Sequence, residues 1–519
     1  MSRRAATAGI GFRYLRNRDW FDGFCLSTLR VINQEKMMTD STPGSTAPAI
    51  PARRRFLVQA LGAAGYCSLS MALPVCAADI MVANVTGLYS VSVARTAQPA
   101  STSEVANLVR TWPGRIAAGG GRYSMGGQVA LQGGLHLDMR TMNRLVWFRP
   151  EEAVVRVQAG MRWRELQDLI DPHQLAVKTM QSYSNFTVGG SVSVNAHGRY
   201  VGHGPICHTV RALQIVLADG SIVEAGPHHN RPLFAAAIGG YGALGIITEV
   251  ELELDRNVRI ERVVQDVPLA QYVDFFKTRV EFDRANILHN ADLLPPEFDA
   301  PVAVTWRRTG KALTQAQRLI PKDLSYQTEK NAIWAATEMP GGEWLQAKVI
   351  RPNLLKPSIV KWLNHEASRD AAELEPRTRV LSTYALQEYF IPVRHFSRFV
   401  QCMRTILRKH EVEALNVSIR HSPADTLTLL PWAKEDVFCF VLYYKQRTHA
   451  QARAEVGCWT RELIDLALNN EGRYYLPYQL HATERQFSRA YPEAEQLRTL
   501  KDKLDPAGKF SNELWRKYL

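Results

Sequence analysis

Three glycine-rich clusters are where this chain could do chemistry. The first is Gly119-Gly120-Gly121-Arg122-Tyr123-Ser124-Met125-Gly126-Gly127-Gln128. Glycines let successive backbone N–H groups converge, which makes a nest for an anion such as a pyrophosphate. The cluster lacks the Gly-Lys-Ser/Thr ending of a nucleotide-triphosphatase loop. The second is Asn185-Phe186-Thr187-Val188-Gly189-Gly190-Ser191-Val192-Ser193-Val194-Asn195-Ala196-His197-Gly198. Its small side chains admit a flat or phosphorylated ligand, or the close packing of another element. The third runs from Leu233 to Thr248 and contains GxGxxG at Gly240, Gly242 and Gly245. A dinucleotide fingerprint follows a strand and opens a helix. Here an Ala-rich helical run precedes the glycines, and Thr248 to Leu254 alternates as a strand after them. That reversed context argues against an NAD-dependent dehydrogenase.

These clusters need elements to hold them. Ser103 to Thr111 reads as an amphipathic helix with Ser103 near its N-cap. Arg115 to Ala118 reads as a strand entering the first cluster, Val154 to Ala159 as a second strand, and Arg162 to Ile170 as a helix. Leu213 to Leu217, the turn Asp219-Gly220 and Ile222-Val223 predict a hairpin. Residues 256–470 carry longer helices and few glycines, and a Tyr-rich segment after Gly472 leads into a C-terminal helix.

Composition narrows the class. Of 519 residues, 46% are hydrophobic and 22% charged, which excludes a disordered chain. The net charge is +13, and ten basic residues against four acidic ones lie within the first 78. No Lys/Arg run or basic–aromatic stripe follows, so no nucleic-acid partner is expected. The seven cysteines form no CxxC pair. His203 to His208 holds Pro205 and lacks a fourth ligand, so no metal site is expected. Ala52-Arg53-Arg54-Arg55-Phe56-Leu57 precedes an apolar run to Leu73, with small residues at Ala77 and Ala78. This pattern matches a twin-arginine signal peptide. It predicts a periplasmic protein; the alternative is an uncleaved inner-membrane anchor.

In order and spacing, the clusters resemble the FAD-binding domain of the vanillyl-alcohol-oxidase (PCMH-type) superfamily. The first resembles its Gly-x-Gly-His-Ser pyrophosphate loop, the second its Thr-Val-Gly-Gly segment, and the third its Leu-Phe…Gly-Gly-x-Gly-x-x-Gly-Ile-x-Thr segment. Lys501 to Asn512 resembles its Lys…Asp-Pro…Phe-x-Asn close. Bacterial sugar and alditol oxidases and decaprenylphosphoryl-ribose oxidases are similar in pattern. The resemblance implies an α+β fold: a PCMH-type FAD-binding domain of two α/β subdomains plus an α+β cap. The expected division is a leader (1–78), an FAD-binding domain (79–255), a cap or substrate domain (256–470) and a C-terminal segment (471–519) returning to the FAD domain. FAD is expected against Gly119, Gly120, Gly121, Arg122, Tyr123, Ser124, Met125, Gly126, Gln128, Thr187, Val188, Gly189, Gly190, Ser193, His197, Gly198, Gly245, Ile246, Lys501 and Asn512. Many members attach the flavin through the His of the first loop and a Cys near the second. Tyr123 and Asn185 or Phe186 occupy those positions, so non-covalent FAD is expected. Cys207 lies beyond His197-Gly198.

The same resemblance implies an FAD-dependent oxidoreductase that oxidises a CH–OH group of a sugar, polyol or related alcohol. Its electron acceptor would be oxygen, a quinone or a periplasmic carrier. The alternative is a flavin-fold protein without turnover that serves in binding or assembly. The substrate-facing candidates are Glu388, Tyr389, Asn416, Arg420, His421, Tyr475, Tyr478, Gln479 and His481, with Tyr475, Tyr478, His481, Glu388 and Arg420 as the catalytic set. Each has a structural alternative: core packing for Tyr475, a hydrogen-bonded histidine for His481, and a buried Glu388–Arg420 ion pair. For Lys501, which could approach the flavin, the alternative is a solvated helix face. If residues 474–481 are extended, Tyr475, Gln479 and His481 share one face and Tyr474, Tyr478 and Leu480 the other.

Overall fold

The computed structural model describes residues 80–346 and 358–519, which fall in one compact unit. The twin-arginine motif and its apolar run lie outside the described residues. A small parallel sheet places strands Arg95–Ala97 and Ile116–Gly119 on either side of Leu135–Asp138. The helix Thr102–Thr111 crosses between the first two of these strands and buries Val105, Ala106 and Val109. Its N-cap is Ser101, not Ser103: Ser101 Oγ accepts from the Glu104 N–H at 3.2 Å. Ser-x-x-Glu spacing exists only from Ser101, and the Glu104 carboxylate reaches back to accept from Ala100 N–H at 3.0 Å.

A second sheet is antiparallel, in the order Ile222–Ala225, Val210–Val216, Ile246–Arg256, Val154–Gln158, Leu145–Arg149. The first two strands form the hairpin expected around Asp219-Gly220, and Gly220 turns at φ +80°. The third glycine cluster lies between the helix Arg231–Ala237 and the strand Ile246–Arg256. That strand buries Val250, Leu252 and Leu254, while Glu249 and Glu251 pair with Arg156 and Arg211.

The largest sheet has eight antiparallel strands, ordered Val360–Trp362, Arg259–Asp266, Val302–Arg308, Asn286–Leu293, Ala414–Ser422, Val437–Arg447, Ser382–Pro392, Arg473–Tyr474. Period-two alternation divides its faces. Tyr389, Phe438 and Phe440 turn toward the helix Phe396–Lys409, where Tyr389 meets Phe399 and Phe440 meets Phe396. Each such ring, fully buried, contributes roughly 1.5–3 kcal/mol. The alternate residues, Glu388, Arg420, Tyr443, Asp292, Trp306, Arg262 and Lys361 among them, line cavities on the other face. The chain end is tied to the parallel sheet by Ile116, whose N–H donates to Lys509 O at 2.7 Å and whose carbonyl accepts from Ser511 N–H at 3.1 Å. Among the described residues, no helix is long and apolar enough to cross a membrane.

Candidate active site

The glycine clusters meet along one cleft with two lobes. Gly119, Gly120, Gly189, Gly190, Ser193, Gly245, Ile246 and Asn512 line the narrower lobe. Gly120, Gly121, Arg122, Tyr123, Ser124, Met125, Thr187 and His197 line the wider one. Glycine is a packing requirement here: a Cβ on Gly120 would lie 2.0 Å from Thr187 Oγ1, and one on Gly119 would lie 2.6 Å from the His136 ring. His136 supports the loop from below. Its Nδ1 donates to Val129 O at 2.9 Å, and its Nε2 accepts from the Arg122 guanidinium at 3.2 Å. Burial and then Arg122 push its pKa down to about 4, so the ring is neutral, as accepting from Arg122 requires. Arg122 itself takes a left-handed φ of +60° and pairs with Asp138 at 3.1 Å.

The wider lobe ends on a hydrogen-bonded cluster. Glu388 Oε1 lies 2.6 Å from His197 Nε2, which donates to it. Glu388 Oε2 accepts from Tyr478 OH at 3.1 Å. Tyr475 OH donates to Val194 O at 2.8 Å. Burial raises both phenols well above their usual pKa, so they remain protonated. Arg420 lines the same lobe, and its buried Nε has no hydrogen-bond partner among the described residues. No Glu388–Arg420 ion pair forms; both carboxylate oxygens are engaged by His197 and Tyr478. A cavity of about 600 Å³ adjoins the lobe, and Arg420, Tyr478 and Tyr443 line both.

The turn that presents Tyr475 and Tyr478 is held from the first cluster. Gln128 Nε2 donates to the carbonyls of Leu476 at 2.7 Å and Tyr478 at 2.8 Å, and Met125 N–H donates to Pro477 O at 2.7 Å. Gln128 thus borders the narrower lobe but spends its amide on this turn.

Several expected residues stand elsewhere. Only Arg473–Tyr474 is strand, and the turn around Pro477 breaks the alternation expected for 474–481, so Tyr475 and Tyr478 converge on one site. His481 is carried away from the cavities toward Gly457; burial and then Arg461 and Lys517 lower its pKa to about 4. Gln479 bonds Tyr444 and Gln446. Tyr389 lies on the helix-covered face, and His421 packs on Phe276. Asn416 lines the large cavity. Lys501 is a structural tie: it donates to Ala243 O, Phe510 O and Asp505, and lines neither lobe. Gly126, Val188 and Gly198 also lie behind the cleft wall. A Cβ on Gly126 would meet Tyr478 O at 2.5 Å and one on Gly198 would meet Met180 O at 2.1 Å, while Val188 is wholly buried. Sequence reasoning missed His136, whose signal was a polar residue inside the apolar strand Leu135–Asp138. It also missed Tyr183, Arg379 and Tyr443 in the wider lobe, and Arg199, Arg262, Lys361, Glu366 and Arg369 in the large cavity. Those residues carry no local motif.

Thr187 Oγ1 tests the fit of a cofactor. It is buried, borders both lobes and has no hydrogen-bond partner among the described residues. An unmet buried hydroxyl costs about 1–3 kcal/mol, which a phosphate or flavin heteroatom beside it would relieve. A glycine nest, this hydroxyl and an aromatic lobe suit FAD, and they define a flavoprotein fold. Residues 93–226 match the FAD binding domain family, and residues 314–518 match the D-arabinono-1,4-lactone oxidase family. The chain is 23% identical to L-gulonolactone oxidase of Bos taurus over 80% of its own length and 92% of that protein. It is 30% identical to alditol oxidase of Streptomyces sp. over 36% of this chain and 45% of that one. Cytokinin dehydrogenase 5 of Arabidopsis thaliana is 33% identical over 32% of this chain and 33% of its own length. The chain belongs to the vanillyl-alcohol-oxidase, PCMH-type superfamily. It is an FAD-dependent oxidoreductase.

Proposed function

We propose that the protein oxidises a CH–OH group of a sugar, polyol or sugar-derived lactone, and that Glu388 takes the hydroxyl proton through Tyr478. One observation carries this reading: the His197–Glu388–Tyr478 chain borders the cofactor lobe, and Tyr478 also lines the adjoining cavity. The glycine nest, Thr187 and the aromatic lobe would hold FAD, which would supply the hydride acceptor. The protein supplies proton transfer and charge. Tyr478 receives the substrate hydroxyl proton as its own passes to Glu388 Oε2, and His197 on Oε1 holds the carboxylate in place. Arg420 stabilises the developing alkoxide. Tyr475, fixed on Val194 O, walls the lobe.

The FAD is non-covalent in this reading, because Tyr123 and Asn185 offer neither imidazole nor thiol. Cys207 is buried beside Asp425 and lines neither lobe. Acid precipitation should leave the yellow colour in the supernatant; a yellow pellet would overturn the attachment mode. The activity is tested by anaerobic titration of the FAD-loaded protein with alditols and aldono-1,4-lactones. Bleaching of the visible flavin bands by one of them supports the reading, and reoxidation by air or by a soluble quinone then identifies the acceptor. Flavin that no alcohol bleaches would overturn it in favour of a binding role. Export by the twin-arginine route belongs to the same proposal, and N-terminal sequencing of the periplasmic fraction tests it.

A further inference from the structure

The large cavity holds charged side chains that this reaction does not use. Arg199, Arg262, Lys361 and Arg369 line it, and none of them borders the cofactor lobe. Three converge on a single carboxylate. Glu366 Oε1 accepts from Arg199 at 2.7 Å and lies 3.9 Å from Arg369, and its Oε2 bonds Lys361. Arg369 also pairs with Glu373. Lys361 Nζ sits 4.6 Å, and the Arg262 guanidinium 5.6 Å, from the centre of the Trp306 ring. With Arg420, five cationic side chains line the cavity against three carboxylates, Asp292, Glu366 and Glu373, among the described residues. Burial lowers the pKa of Lys361 and Arg262, Glu366 opposes it, and the neighbouring Arg369 adds a smaller lowering effect on both. An ion network that only braced the sheet would be expected to balance its charges. This one leaves a net positive field in a walled cavity, where it is focused on whatever enters.

We infer that the substrate carries an oxyanion, a carboxylate or phosphate ester, which seats among Arg262, Lys361 and Arg369 with Trp306 as its apolar wall. This deepens the alcohol-oxidising reading above and rests on it: the anion anchors one part of the molecule while the carbinol reaches Tyr478. Asn290 and Asn416 line the same cavity and can bond the hydroxyls between.

The test uses FAD-loaded protein and matched donors: D-glucitol, D-glucitol 6-phosphate and D-gluconate. At least one charged donor should exceed D-glucitol in kcat/KM by about tenfold or more, through KM, the scale of one charge-assisted hydrogen bond. The two charged arms separate phosphate from carboxylate. Lys361→Met and Arg262→Gln should each raise KM for that donor about tenfold and leave D-glucitol unchanged. Variants that slow all donors alike would mark a structural brace and overturn the inference. Wild-type preference for D-glucitol would also overturn it, with alcohol oxidation intact. If no donor bleaches the flavin, calorimetric titration with inorganic phosphate and D-gluconate decides. Binding that is lost in Lys361→Met keeps the anion site and removes only the oxidation; no binding removes the inference.

Discussion

The cofactor cleft and the large adjoining cavity share a wall but are built in opposite ways. The cleft is made of backbone and small residues clustered within short stretches: Gly119–Gln128, Thr187–Ser193 and Gly240–Ile246. The cavity takes side chains from seven strands of one sheet, together with Arg199, Glu366, Arg369, Glu373 and Tyr478 from the segments between strands, and these residues follow no motif spacing. A ligand gripped through backbone demands particular residue types at fixed spacing, which leaves a pattern. A ligand gripped by side chains demands only that strands in register present them, which leaves none.

That contrast can be broken or sharpened by substitution. The largest effect is expected at the junction. Glu388→Gln should lower turnover by about 10²–10⁴-fold, the range of general acid–base contributions, while FAD remains bound. Rapid-reaction reduction kinetics measure this, and near-normal turnover would remove Glu388 from the chemistry. Next comes Gly120→Val, whose Cβ would fall 2.0 Å from Thr187 Oγ1. It should purify without FAD, read from the ratio of visible to ultraviolet absorbance, because overpacking there costs about 1–3 kcal/mol at the nest itself. Gln128→Leu sits between the two regions. It frees the Leu476 and Tyr478 carbonyls, so turnover should fall about tenfold with FAD retained, as two hydrogen bonds that position Tyr478 are lost. Loss of FAD instead would show that Gln128 belongs to the cleft.

The smallest effect on activity is expected at His481, which neither region contains. His481→Gln should leave kcat/KM unchanged. It should alter acid stability instead, because His481 has a pKa near 4 in the fold against an ordinary value of 6.5. Between those values the unfolded chain binds the proton and the folded protein does not, so stability falls as the pH drops through that window. His136 and His421 are depressed in the same direction, to about 4. The wild-type Tm should therefore decline below about pH 6.5, and His481→Gln should decline less steeply. An equal slope would place His481 in a more solvated setting than its burial indicates.

Legibility followed the same divide. The strand entering the first cluster, the hairpin at Gly220 and the alternating strand after Gly245 were readable, since turn glycines and period-two burial act within a few residues. The helix cap falls at Ser101 rather than Ser103 because only Ser101 stands three residues before Glu104 and can accept from its N–H. The shape of segment 474–481 was not legible, because it is set by Gln128 and Met125, about 350 residues away in the chain. Lys501 shows the same limit: its place in the closing motif was legible, but its contacts with Ala243 O, Phe510 O and Asp505 come from folding the chain end onto the third cluster.

By itself, then, the sequence determined a flavin-binding cleft, because close backbone approach to a phosphate needs glycine and small residues in a row. Only the tertiary structure decided what faces the cofactor. It joined His197 to Glu388 across 191 positions, brought Tyr478 to the same carboxylate, and gathered Arg199, Lys361 and Arg369 around Glu366. Glu388 reaches the site through strand register, Tyr478 through a turn held by Gln128, and Arg199 through a loop that meets Glu366 from 167 positions away, so the grouping is fixed by how distant segments pack rather than by any one local run.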